Sequence, residues 1–171
     1  MAARIRIPLI LFRRVGKKSM IKSQNYIPEK LYREIVKNMP ISCVDVVIAG
    51  RGKFLMGKRK NKPAQGKWWF VGGRIRKGER LEQAVCRHVK TETGVSQVKI
   101  KKILGTTETF FKDSAQGPGT HTVNTTFFVE IPRGKVFLSV NSDNSELVWF
   151  SKIDKSWHPC VRQMLRSAGF K

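Results

Sequence analysis

Two glutamates, Glu79 just before the segment "LEQAVCRHVKTET" and Glu92 near its end, stand in a chain that carries 34 Lys and Arg against 12 Asp and Glu. The first follows Gly72, Gly73, Arg74 and a basic loop, and the second stands two residues before Gly94. Carboxylates at the two ends of one short helix, beside glycines that let backbone come close, can hold a magnesium ion. Such an ion keeps some of its water and accepts phosphate oxygens. The chemistry implied is that of a diphosphate.

The elements that must position these acids are legible around them. Leu81, Ala84, Val85 and Val89 fall on one stripe at helical spacing, so the helix packs against a sheet and Glu92 sits where that packed face meets a cleft. Glu79 belongs to the turn before it. Upstream, "IPEKLYREIVKN" reads as a short amphipathic helix with Pro28 in its first turn. "SCVDVVI" and "FLMGKR" read as a hairpin around "AGRGK", and "WWFV" as one short buried strand running into the glycines. Downstream, "VKIKKILGTTETFF" and "HTVNTTFFVEI" are strands separated by "KDSAQGPGT", "ELVWFS" is another, and "HPCVRQMLRSAGF" is a closing helix. Helices covering a mixed β-sheet in an α/β domain follow.

Length and composition bound the answer further. A chain of 171 residues suits one domain with short extensions: a basic extension over residues 1–26 and a domain over 27–171. No stretch approaches the roughly 20 apolar residues of a membrane-spanning helix. The formal charge is +22; residues 1–20 hold six of the cations and no acid, leaving +16 on the rest. Phosphate-bearing partners are therefore attracted by the domain itself. Cys43, Cys86 and Cys160 are odd in number and form no CxxC pair, which suggests neither a disulfide framework nor a zinc site, and fits a reducing, cytoplasmic compartment. The Arg-rich leader reads as a basic arm or as sequence upstream of a functional start at Met20, with an organellar targeting segment as the alternative.

From Gly73, five residues lead to Glu79, seven more to Arg87, and then come Glu92, Gly94 and Val95. This pattern resembles the Nudix box. Two of the usual glutamates are absent, with His88 and Thr91 in their places. The segment "FLMGKRKNKPAQGKWWFVGGR", residues 54–74, makes the resemblance more specific, because it is similar to the GDP-mannose mannosyl hydrolase branch, which has a reduced box as well. The resemblance runs from about Ile27 to Ser151. It implies a Nudix fold, with a mixed sheet sandwiched between helices, and a Mg2+-dependent hydrolase whose water attacks the anomeric carbon and releases GDP. Fewer carboxylates are needed when the task is to stabilise charge on a departing diphosphate.

The same resemblance assigns the site residues. Arg59, Arg74 and Arg87 would bind the diphosphate. Glu92, the Gly72 carbonyl and Asp143 would hold the metal, Asp45 would lie near the sugar, and Glu79 would orient the metal-side loop. His121, in "THTVN", would touch substrate. Asn144 stands where the branch has its histidine base, and Asn cannot accept a proton from water at neutral pH. Read from the residues themselves, His88 suits a hydrogen-bonded structural role, His158 a helix cap, and Trp68 and Trp69 the core. Two other functions compete: binding of RNA or a nucleoprotein assembly through the basic surface, and hydrolysis by attack at phosphorus. Members of the branch are often homodimers, which sets the expectation here.

Overall fold

The computed structural model describes residues 27–117, 119–131 and 143–171. The basic extension expected over residues 1–26 lies outside these. The chain runs α1 (Glu29–Asn38), β1 (Ile41–Gly50), β2 (Lys53–Arg59), β3 (Trp68–Trp69), β4 (Val71–Arg74), α2 (Leu81–Thr93), β5 (Lys99–Phe111), β6 (Thr120–Glu130), β7 (Asn144–Phe150) and α3 (Pro159–Ser167). Its mixed seven-stranded sheet has the order β3-β2-β1-β6-β5, with β4 also on β1 and β7 on β2. The β1–β6 pair is parallel and the remaining pairs are antiparallel.

The alternation of β1 assigns its two faces. Val44, Val46 and Ile48 join Val71, Phe127 and the Ala84, Val85 and Val89 stripe of α2 in one core cluster. Val47 points the other way, to Phe54, Met56, Trp157 and the Val161, Met164 and Leu165 face of α3. Helices therefore cover both faces of the sheet. Each fully buried valine in these clusters contributes about 1.5–3 kcal/mol of apolar burial.

The β1–β2 turn places Arg51 at φ 50° and Gly52 at φ 73°, the left-handed pair that matches the twist of a two-residue hairpin. Pro159 starts α3, and the His158 ring accepts from the Cys160 N–H at 3.3 Å, the cap expected of it. Helix α2 opens with the Gln83 side chain on the Arg80 N–H at 2.9 Å and closes at Gly94, φ 78°.

The segment "WWFV" differs from the single strand expected. Trp68 and Trp69 pair with β2, whereas Val71 to Arg74 pair with β1, and the chain changes partner at Phe70. The physical reason is that β2 diverges from β1 beyond Leu55, opening a gap that β3 and β4 fill from two sides. The same divergence leaves a concave space over β1.

Candidate active site

That space is a cavity of about 590 Å³ lined by residues from α1, β1, β2, β3, β4, α2, β5, β6 and the start of β7. Asp45, Arg59, Gly72, Arg74, Glu92 and Asp143, six of the residues singled out in the sequence, all line it. They reach it from separate elements. Strand register sets Asp45 opposite Gly72, and Glu92 ends the packed face of α2.

Glu92 is the centre of the arrangement. It is 5% exposed; its Oε1 accepts from the Gly72 N–H at 3.3 Å and faces His88 Nδ1 at 2.9 Å, and its Oε2 accepts from the Asn144 amide at 3.2 Å. The other ring nitrogen of His88 is 3.2 Å from the Arg74 carbonyl oxygen. Glycine is required at 72 because its φ is 153° and an added Cβ would run into the Val44 carbonyl. A Cβ at Gly73 would come within 2.9 Å of the His88 ring. The glycines thus let β4 lie directly against β1 and the acid-bearing end of α2.

Asp45 is buried, and burial pushes its carboxyl up to about 7; Glu92 adds to the rise, while Arg59 and His88 oppose it. Its Oδ2 is buried with no hydrogen-bond partner among the described residues. Arg59 is anchored by its Nε on the Pro63 carbonyl at 2.6 Å. The Arg74 guanidinium lies 4.5 Å from the ring centroid of Tyr32, so α1 supplies a face for it. Cys43 also lines the cavity, but burial drives its thiol up to about 12, so it is no nucleophile at neutral pH.

Three expected site residues do not join the cavity. Arg87 turns to the loop before α2, donating from Nε and Nη2 to Glu79 at 2.7 and 2.8 Å and from Nη2 to the Arg74 carbonyl at 3.0 Å. Glu79 also accepts the Arg76 N–H at 3.0 Å, and the bonds from Arg87 hold its carboxyl below the usual range. The two therefore brace the loop that carries Arg74, where the sequence pointed to diphosphate binding and metal orientation. His121 stacks on Phe110 with centroids 4.2 Å apart, beside a second, smaller cavity. The β5–β6 register sets Phe110 opposite His121 and thereby removes it from the main site.

Two cavity residues carry little sign of that place in the sequence. Tyr32 sits on the apolar face of α1 and looks like core. His88 has the hydrogen-bonded role expected, but it performs it on the cavity wall. The signal for His88 was its position in the box, four residues before Glu92.

Among the described residues, no three His, Cys, Asp or Glu side chains converge on a cage for a metal ion. Magnesium needs less, since it is commonly held by one or two carboxylates, backbone oxygen, water and substrate phosphate. Glu92 and Asp143, both on the wall of this cavity, fit that donor chemistry, and the buried Oδ2 of Asp45 beside them is free to meet a water or substrate. In this constellation carboxylates meet two guanidiniums, which suits a phosphate-bearing substrate with its cation.

Comparison with known proteins agrees with this fold. Residues 39–163 match the NUDIX domain. The low-salt glycan biosynthesis protein Agl8 of Haloferax volcanii is 35% identical over 146 residues, covering 84% of this chain and 92% of that protein. An ADP-ribose pyrophosphatase of Methanocaldococcus jannaschii is 32% identical over 142 residues, covering 83% of this chain and 77% of that one. The crystal structure of a MutT NUDIX hydrolase from Burkholderia pseudomallei superposes with a TM-score of 0.61 at 24% identity, over 76% of this chain and 98% of that one.

Proposed function

The chain belongs to the Nudix family of hydrolases, and on that premise we propose that it hydrolyses GDP-mannose or a related GDP-sugar in a magnesium-dependent reaction at the anomeric carbon. The observation that carries the reading is the composition of the cavity. Glu92 occupies it without the other box carboxylates, His88 standing in one of their places, while Arg59 and Arg74 line the wall. A box that brings one carboxylate to the cavity, with Asp45 and Asp143 coming from outside it, suits charge stabilisation on a departing diphosphate better than assembly of several metals around an attacked phosphorus. The glycan biosynthesis role in the name of the Haloferax relative supports a sugar-linked substrate.

In this reading Glu92, the Gly72 carbonyl and Asp143 hold the ion, which when bound neutralises charge on the diphosphate. Arg59 and Arg74 bind the diphosphate oxygens, and the Tyr32 ring keeps the Arg74 guanidinium from swinging away. Asn144 orients Glu92 and takes no proton. The proton of the attacking water passes to Asp45, whose carboxyl, raised to about 7, is matched to neutral operation as a base should be. Water oxygen bonds to the anomeric carbon, the carbon–oxygen bond to phosphate breaks, and GDP leaves with the bonding pair. A cytoplasmic protein meets such a nucleotide sugar, and a homodimer is the assembly we expect of it.

A second reading keeps the site and moves the attack to phosphorus, as the name of the Methanocaldococcus relative, a pyrophosphatase, would have it. One experiment separates them: turnover of GDP-mannose with magnesium in oxygen-18 water, products analysed by mass. Label in free mannose with unlabelled GDP supports attack at carbon. Label in a phosphate product, or no turnover, overturns it.

A further inference from the structure

Next to the main cavity, and sharing Phe111, Gln116 and Thr120 with it, lies an open groove of about 320 Å³ between α1 and the ends of β5 and β6. The diphosphate chemistry leaves this groove unused. Phe110 borders it and is 71% exposed, the most exposed of the large apolar side chains among the described residues. Its ring is held nearly parallel to His121, at an interplanar angle of 23°, and β5–β6 pairing holds both rings on the sheet. Facing them from α1 are Arg33 and Lys37, one turn apart.

An exposed aromatic ring with a preset orientation is a poor choice for solvent and a good one for a flat ligand. Cations at a helical turn's distance from it specify what that ligand carries. Arg33 pairs with Glu29, but both side chains are more than half exposed, and such an i,i+4 pair costs little to exchange for a phosphate. Glu108, 3.7 Å from His121 Nε2, also stands at this edge. It stands two residues before Phe110 on β5, opposite Val123, and does not line the groove.

We propose that this groove binds single-stranded nucleic acid, with one base stacked on Phe110 and the flanking phosphates on Arg33 and Lys37. A positively charged track beside a stacking ring is the arrangement that takes single strands without reading their sequence. The charge of +22 on the whole chain draws the strand in. A free mononucleotide would use the ring but gain little from the track, so the strand is the occupant. This binding does not depend on which bond the neighbouring site hydrolyses.

The test is fluorescence anisotropy of a labelled ten-nucleotide oligo(U) RNA against the full chain, across a salt series. Phe110→Ala should weaken binding roughly 5- to 100-fold, as loss of one stacked base does, and Phe110→Trp should restore it. Changing Arg33 and Lys37 together to Gln should reduce the salt slope by about 1.4, at roughly 0.7 per phosphate contact on a single strand. Glu92→Gln should leave oligonucleotide binding unchanged. The proposal is overturned by absence of binding or by unaltered binding in Phe110→Ala. It is overturned equally if UMP competes as well as the oligonucleotide, or if Glu92→Gln weakens binding as much as Phe110→Ala.

Discussion

Replacing Arg87 by Met should reduce stability before it reduces binding of a diphosphate. The guanidinium makes two charge-assisted hydrogen bonds to Glu79 and one to the Arg74 carbonyl, with side-chain exposures of 22% for Arg87 and 13% for Glu79. A hydrogen bond to a charged group is worth about 1.5–3 kcal/mol when buried, and partial exposure screens it, so the net for this pair is about 2 kcal/mol. In a domain of this size that corresponds to a fall in Tm of about 4–8 °C. Glu79→Gln should cost a similar amount, and the double variant should lose less than the sum, with a coupling of about 1–2 kcal/mol. Urea unfolding of the four proteins measures the coupling, and initial rates with GDP-mannose measure KM and kcat. If Arg87→Met unfolds like the parent while KM rises tenfold or more, Arg87 contacts substrate directly and the bracing role assigned to it is wrong.

Asp45 makes the domain pH-sensitive. Its carboxyl, raised from 3.8 to about 7, contributes stability that is fully present below about pH 4 and is lost as pH rises through 7. The upper bound on that contribution is about 4 kcal/mol, the free-energy equivalent of the rise. Without metal, Asp45→Asn should flatten that decline while abolishing turnover, and urea midpoints in EDTA that fall in parallel with the parent between about pH 4 and 7 would contradict it. Gly57→Ala would drive a methyl group into the Asn144 amide. Overpacking there should cost about 1–3 kcal/mol, and displacement of the group that holds Glu92 should lower kcat with KM little changed; an unaltered kcat would show that Asn144 has no part in placing Glu92. Glu92→Gln should abolish magnesium-dependent turnover while the domain stays folded, and retained activity would remove Glu92 from the site.

Most of the elements, the box and the reach of Glu92 are legible in the amino-acid sequence alone. Its helical stripe of Ala84, Val85 and Val89 and its closing Gly94 leave little freedom over which side packs and where the helix stops. Local periodicity and turn chemistry set such features, and both act over a few residues. Tertiary structure decided the direction of each polar side chain. Spacing places Arg87 on α2 but not which neighbour its guanidinium meets, and that depends on how the 74–80 loop folds back onto the helix. The resemblance assigns His121 to substrate, whereas it stands against Phe110, because the face it occupies follows from the β5–β6 register and from two bulges in that pairing. The split of "WWFV" between β2 and β1, the burial that raises Asp45, and the arrival of Tyr32 over Arg74 all require strands and a helix far apart in sequence to meet. Long-range packing fixes the desolvation and the charge partners of a side chain, and no local pattern carries that information.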